Sequence, residues 1–471
     1  MRASFTRRSL AVVTCYERCA SMTGSTTCAA RVRTSLEEIP TSLFRFQEIR
    51  RPGPTKPQRS RYSSATSTWD PQILATEGKL WEVDLTSGEG DGRRGVIQLA
   101  GPEAPKLVQG LITNDIIHLT GSKASLAAGF LTNKGRLITE SVITIATDAK
   151  EAPHGGPDKF FLDVPIDVKK GLLQHLRLFK LRSKVTITDL SSTARVCALV
   201  GLPHARVSDL ERVREHWSAR GAEVLGLGPD PRVMLGDRFP LGIRGIIHFP
   251  DPSSPPSSLP SSARPLPCTQ EAREALEALR FLYGVGEGPD LVERLPSECN
   301  LDLTHAINFH KGCYLGQELT ARTQFKGVIR KRLLPVFLFP DSLPPPSSKV
   351  EADMQRPVQK LGDLLLPSNA NPLAAPFLAG PPSPSPALVK GAEIIDKASG
   401  KAVGSLVSLA TGSNLGLALL RLEPTLGAEQ GVKLVARSPG AEGEKRQQQV
   451  LAFLPDWWPS GIDLATGKIP L

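Results

Sequence analysis

The sequence predicts an α+β protein that ends in a small β domain, and three observations lead to this prediction. Through the first part of the chain, strand-like apolar runs mix with apolar stripes at helical spacing. After residue 388 the pattern changes to short apolar runs that are separated by glycines. Two Pro- and Ser-rich tracts divide these parts, and 471 residues are enough for two to three domains.

Strands and helices mix in the body of the chain. Arg94–Ala100 is predicted to be a strand, and after a turn at Gly101-Pro102 the apolar residues fall at helical spacing from Ala104 to Leu111. The same patterns predict further strands at Leu137–Ile145, Lys159–Val164 and Lys184–Leu190, and further helices around Val168–Leu176 and at Glu271–Tyr283.

The C-terminal part contains only strand-like runs. These are Val403–Leu409, Leu415–Arg421 and Val450–Leu454, each bounded by glycine or polar residues. Short strands of this kind leave no unpaired edge when they close on themselves. We therefore expect a small closed β-barrel.

Most of the formal charge of +10 lies at the N-terminus. Residues 1–64 hold eleven Arg and one Lys against four Glu and no Asp, a net charge of +8. An Arg-rich, Ser-rich and acid-poor start is typical of a mitochondrial transit peptide. The segment Arg61-Tyr62-Ser63-Ser64 is similar to the processing sites of matrix-targeted precursors. We expect import into the mitochondrial matrix, with a disordered basic tail as the alternative.

The remaining body is close to neutral, which argues against nucleic acid as a partner. No run of apolar residues approaches the ~20 that a membrane-spanning helix needs, so membrane insertion is not expected.

Composition sets the predicted domain boundaries. A transit peptide and leader occupies residues 1–66, and the N-terminal part of the α+β body follows at 67–250. A Pro/Ser insertion at 251–267 separates it from its remainder at 268–340. A Pro/Ser-rich linker at 341–388 then leads to the barrel and tail at 389–471.

Of the seven cysteines, four lie after the leader: Cys197, Cys268, Cys299 and Cys313. They are widely spaced and include no Cys-x-x-Cys pair, which excludes a disulfide framework and a self-sufficient zinc site. Cys313 lies in the densest cluster of unusual residues, Asn308–Arg332.

The surroundings of Cys313 favour a reactive thiol. Lys311 is two residues away, Gly312 leaves the backbone uncrowded, and a helix beginning at Tyr314 would place the thiol near a positive dipole end. Both features favour the thiolate, which attacks electrophiles or binds soft metals. A structural cysteine at a tight turn is the alternative, and it stays open on spacing alone.

Counting ligands limits what Cys313 can bind. An iron–sulfur cluster takes about four protein ligands, and no other residue in the sequence forms a ligand set with Cys313. Cys313 would therefore hold a cluster as one ligand among several, with a partner supplying the rest. A cysteine hydrolase is disfavoured because neither His305 nor His310 has an evident acidic partner.

The octapeptide KGCYLGQE at 311–318 resembles the signature of the aminomethyltransferase-like folate-binding family. It matches the Cys-bearing branch, to which mitochondrial iron–sulfur cluster assembly factors belong. The resemblance extends to the segments 110–115, 135–136, 180–185, 295–302, 320–323, 327–332 and 415–421 and to Gly404. It implies a multi-domain ring around a central cavity, with the small C-terminal β-barrel appended.

The resemblance also implies site residues. Cys313 would supply the thiolate and the metal ligand, and Lys311 would tune it. The residues that would shape the loop or the cofactor cavity are Gly312, Tyr314, Gly316, Gln317, Glu318, Asn114 and Arg136.

One departure from the family concerns its enzymes. Glycine-cleavage aminomethyltransferases have Asp-Phe at Cys313-Tyr314, and at the position of Glu140 they carry an essential Asp. Glu moves the carboxylate by about one methylene, and catalysis is sensitive to displacements of about 1 Å. Aminomethyl transfer is therefore disfavoured, whereas a tetrahydrofolate site remains an expectation.

The resemblance thus implies an assembly factor that acts with A-type scaffold proteins in the maturation of [4Fe–4S] proteins. The cluster would be shared transiently through Cys313. Two rival hypotheses stay open: a folate-dependent one-carbon transferase that uses Glu140, and a non-catalytic interaction module in which Cys313 is structural.

Overall fold

We analysed a computed structural model of the protein. It describes residues 81–86, 92–120, 123–153, 155–200, 206–248, 269–340, 388–411, 413–426, 434–439, 445–459 and 461–468. The predicted leader, the Pro/Ser insertion at 251–267 and nearly all of the linker at 341–388 lie outside these ranges. None of the helices in the described part is long and apolar enough to cross a membrane.

The first sheet has five antiparallel strands in the order β3-β4-β5-β2-β6. The strands are β2 (Arg94–Ala100), β3 (Ser125–Leu131), β4 (Leu137–Ile145), β5 (Lys159–Pro165) and β6 (Thr186–Asp189). Two helices, α1 (Ala104–Leu111) and α2 (Ile166–Lys180), bury their apolar stripes in the core of this sheet. The stripes at Ala104–Leu111 and Val168–Leu176 therefore form helices as predicted.

The second sheet has four antiparallel strands in the order β1-β7-β9-β8. They are β1 (Trp81–Asp84), β7 (Arg195–Val200), β8 (Glu223–Pro229) and β9 (Ile243–His248). Helix α3 (Leu210–Ser218) packs on this sheet through Trp217, which is fully buried. On another side of the sheet, helix α4 (Gln270–Leu282) contributes Ala272 and Leu276 to the core shared with β1.

The third sheet is a closed barrel in the order β10-β13-β12-β11-β14-β15. Its strands are β10 (Lys331–Pro340), β11 (Glu393–Asp396), β12 (Ala402–Leu409), β13 (Leu415–Arg421), β14 (Leu434–Pro439) and β15 (Lys445–Ala452). A short helix, α6 (Leu422–Leu426), follows β13. The predicted fold class, α+β with a small closed C-terminal barrel, is confirmed.

The barrel takes its first strand from the region that composition assigned to 268–340. Strand β10 pairs with β13 from Lys331 to Phe337 and with β15 from Val336 to Pro340. The long Pro/Ser-rich tract separates β10 from its partners in the sequence, so a division by composition places it in the preceding region. The segment Val450–Leu454, predicted as a strand, is the end of a longer strand that stops at Ala452.

Candidate functional site

The loop that carries Cys313 lies on the C-terminal end of α1. The Leu315 amide donates to the Gly110 carbonyl at 3.0 Å, and the side chain of Asn308 accepts the amides of His310 and Lys311 at 2.8 and 3.1 Å. The thiol itself is exposed. The loop backbone is therefore fixed, whereas the Cys313 side chain stays open to solvent.

The helix after Cys313 begins later than the sequence indicated. Helix α5 spans Gln317–Phe325, so the predicted start at Tyr314 is wrong. Gly316 has a φ of 80°, and a Cβ there would lie 2.4 Å from the Thr132 carbonyl oxygen. This left-handed residue breaks the helical path, so Cys313 lies in the loop before the helix and not in its first turn.

Lys311 is bound to the backbone that surrounds the loop. Its ammonium donates to the carbonyls of Gln109, Ile112 and Asn114 at 2.7, 2.9 and 2.7 Å. An ammonium has three protons, so none is left for the Cys313 thiol. Lys311 can act on Cys313 only through its charge, and this tuning stays a prediction.

Burial lowers the pKa of Lys311 to about 8, against the opposing charge of Asp115. The ammonium also lies 4.9 Å from the centre of the Tyr314 ring, within the range of a cation–π contact. Lys311 therefore connects the C-terminal end of α1 with the loop through these contacts.

The other predicted loop and cavity residues lie in two groups. The amide nitrogen of Asn114 donates to the carbonyls of Ala127 and His305, and the Gln317 side chain accepts the Tyr314 amide at 2.7 Å. Both side chains hold backbone in place. Arg136 and Glu318 are more accessible: Arg136 donates to the Glu293 carbonyl at 3.2 Å, and Glu318 is exposed on α5.

The three cysteines in the described part differ sharply in accessibility. Cys197 and Cys299 are buried, and burial raises the pKa of the Cys299 thiol well above its usual range. Cys313 is the exposed one. Within the described ranges no group of three or more His, Cys, Asp and Glu side chains is arranged to hold a metal ion. A metal at Cys313 would need ligands from outside this part of the chain.

Glu140 lies elsewhere, inside a buried cluster of charges. One carboxylate oxygen accepts Arg94 at 2.7 Å and the other accepts the Gly288 amide at 3.0 Å. Arg94 also binds Asp163 at 2.5 Å, and Asp163 binds Arg244 at 2.5 Å. None of these hydrogen bonds joins Glu140 to the Cys313 loop, so the structure does not bring the two predicted catalytic positions together.

The buried ion cluster, as we call it, joins three parts of the body. Its four guanidinium and five carboxyl groups are those of Arg94, Arg232, Arg244, Arg280, Glu140, Asp163, Asp230, Glu287 and Asp290. The first sheet supplies three of them, strand β9 and the segment after β8 supply three, and α4 with the turn after it supplies the others. The cluster therefore ties the two open sheets to α4.

The carboxyl groups in this cluster differ in their electrostatics. Burial raises the pKa of Glu140, against the pull of Arg94. Burial also acts to raise the pKa of Glu287. The guanidinium groups of Arg232, Arg280 and the other arginines outweigh this effect and hold the pKa well below its usual range. Since the carboxyl groups outnumber the guanidinium groups by one, a proton on Glu140 makes the cluster neutral.

Sequence reasoning found only Glu140 among these nine residues. The signal for several others is a charged residue in a largely apolar strand, as with Arg94 in RGVIQLA, Asp163 in KFFLDVP and Arg244 in IRGIIH. A charge at such a position is costly unless it has a partner, so several such charges of both signs indicate a buried network.

Two cavities border this cluster, and they differ about tenfold in volume. The one that reaches Glu140 also borders Arg232 and Cys299 and measures about 40 Å³. The larger, about 460 Å³, is lined by Arg280, Glu287 and Asp290 among others, but not by Glu140. Pockets for drug-sized ligands are roughly 300–1,000 Å³. The cavity that reaches Glu140 is smaller than this range, and the larger cavity lies within it.

A protein of Neurospora crassa named as a mitochondrial iron–sulfur cluster assembly factor, IBA57 homolog, is 32% identical over 425 residues, covering 85% of each chain. The chain belongs to the family of IBA57 homologues. A Mycosarcoma maydis relative of the same name is 29% identical and covers 78% of this chain and 83% of its own. The Dictyostelium discoideum relative, also 29% identical, covers 63% and 73%.

Two further comparisons concern the barrel and a solved structure. Residues 372–460 match the family described as the CAF17 C-terminal beta-barrel domain. The crystal structure of the glycine cleavage system aminomethyltransferase T from Bartonella henselae is 12% identical, with a TM-score of 0.45 over 81% of this chain and 88% of its own. The family membership predicted from the KGCYLGQE segment is confirmed by the IBA57 relatives.

Proposed function

We propose that this protein is an iron–sulfur cluster assembly factor of the mitochondrial matrix. It acts with A-type scaffold proteins in the maturation of [4Fe–4S] proteins, and the thiolate of Cys313 is a ligand of the cluster that the two proteins share. The observation that carries this proposal is the exposure of Cys313 on a loop whose backbone is fixed at both sides.

The relatives support the general role, since they are named mitochondrial iron–sulfur cluster assembly factors. The site supports the particular chemistry. A shared cluster needs a thiolate that a partner can reach, whereas a cluster held by one chain needs about four ligands close together. Cys313 meets the first requirement, and the described residues offer no ligand group for the second.

The transferase hypothesis receives less support from the geometry. Both oxygens of the Glu140 carboxyl group already accept hydrogen bonds from the protein. The cavity beside it, about 40 Å³, has room for little more than a water molecule. This geometry supports a folate-dependent transfer at Glu140 less than it supports the proposed role of Cys313.

The test is cluster formation in a mixture with a purified, cluster-loaded A-type scaffold protein. Wild type and Cys313→Ser are compared by visible absorption and by iron content after gel filtration. Wild type should carry a cluster in a mixed complex, and Cys313→Ser should lose it, because an alcohol is a poor ligand for the soft iron–sulfur core.

Cys299→Ala is the matched control, since it removes a buried thiol without burying a hydroxyl group. It should assemble the same cluster as wild type, and circular dichroism checks that both variants fold. A mixed cluster that forms equally well with Cys313→Ser would show that Cys313 is not a ligand and would refute the proposal.

The compartment is tested separately through the basic N-terminal segment. The net charge of +8 within residues 1–64 predicts import and removal of roughly the first sixty residues. N-terminal sequencing of the protein from purified mitochondria measures this directly. A mature chain that still begins near Met1 contradicts the prediction, as does recovery outside the matrix fraction.

A further inference from the structure

Two large apolar side chains in segments that contact the Cys313 loop are exposed. Ile117 is 73% exposed and Phe325 is 63% exposed, although most residues of these types are buried. Phe325 meets Phe309 edge to face, with 6.4 Å between the ring centres. Exposed apolar side chains that lie together are characteristic of interaction sites, whereas scattered single ones carry no such meaning.

Contacts made by Phe325 and by the neighbour of Ile117 connect these two positions with the Cys313 loop. Ile117 is next to His118, whose ring nitrogen lies 3.0 Å from the Asn308 amide nitrogen. Asn308 in turn fixes the loop that leads to Cys313, and its neighbour Phe309 contacts Phe325. We call the surface formed by Ile117, Phe309, Cys313 and Phe325 the Cys313 face.

Helix α5 contributes to this face without being anchored strongly in the core. Of its nine residues, Thr320 is the one that is buried. Its first turn is held by close backbone packing, since a Cβ on Gly135 would lie 2.9 Å from the Gly316 carbonyl oxygen. The helix is thus positioned from its N-terminus, and its outer side, including Phe325, remains available to a partner.

The charges on and after α5 have one predominant sign. Arg322, Lys326 and Arg330 are exposed, and no ion pair joins them to any residue that the structure describes. Glu318 is the acidic residue of the helix. A surface with unpaired cations attracts a partner of negative potential. Iron–sulfur clusters are held by thiolates, whose negative charges such a surface complements.

We propose that the Cys313 face is the docking surface for a cluster-carrying protein with an acidic, partly apolar rim around its thiolate-ligated cluster. Ile117 and Phe325 are the apolar anchors, and Arg322, Lys326 and Arg330 provide the complementary charge. This inference rests on the proposed function, because it names the surface through which the same site receives its partner.

The test measures binding of the full chain to an A-type scaffold protein loaded with a [2Fe–2S] cluster, by calorimetry. Phe325→Glu should weaken binding about tenfold or more, as expected for the loss of a central aromatic anchor. Arg322→Glu combined with Lys326→Glu should weaken it and reverse its salt dependence. Leu178→Glu is the matched control, since Leu178 is 67% exposed on α2, and its affinity should equal that of wild type.

Cys313→Ser separates the two proposals. Wild-type binding by Leu178→Glu, with weak binding by Phe325→Glu and the double variant, supports the docking surface. Unchanged binding by Phe325→Glu and by the charge reversal, together with loss of the cluster in Cys313→Ser, overturns the docking surface and leaves the proposed function intact. Failure of wild type to bind the loaded scaffold overturns both. Circular dichroism of each variant checks folding, and Phe325→Ala replaces any variant that does not fold.

Discussion

The buried ion cluster and the Cys313 loop place ionisable side chains in opposite surroundings. Glu140 is 6% exposed, and its carboxyl oxygens are bound by Arg94 and Gly288. Cys313 is exposed, while the residues around it bind each other and the end of α1. In the buried ion cluster the charged side chains bind one another. In the Cys313 loop the surrounding residues hold the backbone in place, and the thiol remains accessible.

This contrast indicates where chemistry with a partner can take place. Glu140 is buried and its carboxyl oxygens are bound by Arg94 and Gly288, so a partner protein cannot reach them in the folded state. The Cys313 thiol is exposed, so a partner can reach it without any change in the fold. The buried ion cluster therefore joins elements of the fold, whereas the Cys313 thiol is accessible to a partner.

The largest expected effect comes from breaking the buried ion cluster. Arg94→Met leaves Glu140 and Asp163 without their shared cation in the protein interior. Removing one partner of a buried ion pair costs about 3–5 kcal/mol, so the free energy of unfolding in urea should fall by that amount. In the matched control, Arg195→Met, the cation is 47% exposed and pairs with Asp84, and exposed pairs are worth about 1 kcal/mol or less. Equal losses of stability in the two variants would show that the buried ion pairs of Arg94 are worth no more than the exposed pair of Arg195.

Much of the fold was predictable because its elements follow local patterns. The strand Arg94–Ala100 and the stripes of α1, α2 and α4 depend on residues close in sequence, whose periodicity is visible directly. The barrel followed from the glycine-separated runs after residue 388. Strand β10 was assigned to another region because its partners lie beyond the long linker.

The parts of the site that depend on the type of residue could be predicted from the sequence. The parts that depend on packing against residues far away in the chain could not. Cys313 and Lys311 stand out in the sequence by their motif. The start of α5 does not, because Gly316 adopts its left-handed conformation against Thr132, a residue far away in the chain. The partners of Lys311 are likewise carbonyl groups at the end of α1, and backbone acceptors leave no trace in side-chain identity.

A smaller effect is expected from the pH dependence of stability. Because burial raises the pKa of Glu140, this group favours the folded state at low pH, and that contribution is lost as the pH rises through its folded pKa. Glu140→Gln is neutral at every pH. Measured in urea across the pH range, the stability of the variant relative to wild type should therefore increase as the pH rises.

The prediction is tested by the slope, against pH, of the difference in stability between Glu140→Gln and wild type. Glutamine cannot accept hydrogen bonds with both of its terminal atoms, but that cost is the same at every pH. On the acid side Asp230 and Glu287, whose pKa values are lowered by Arg232 and other cations despite burial, lose their stabilising charge in both proteins. A constant difference between variant and wild type would show that the pKa of Glu140 is the same in the folded and unfolded states, which contradicts the prediction.

The smallest expected effect on stability belongs to the residue with the largest expected effect on function. Cys313 is exposed, so replacing its thiol removes little packing. Cys313→Ser should change the free energy of unfolding by about 0.5 kcal/mol or less. The same substitution at Cys299, which lies in the apolar core with Leu301 and Phe281, buries a hydroxyl group and should cost about 1–3 kcal/mol. Urea unfolding of the two variants measures both values. A loss at Cys313 as large as that at Cys299 would mean that its thiol is part of the packing of the loop, and the exposed site would then resemble the interior it is contrasted with.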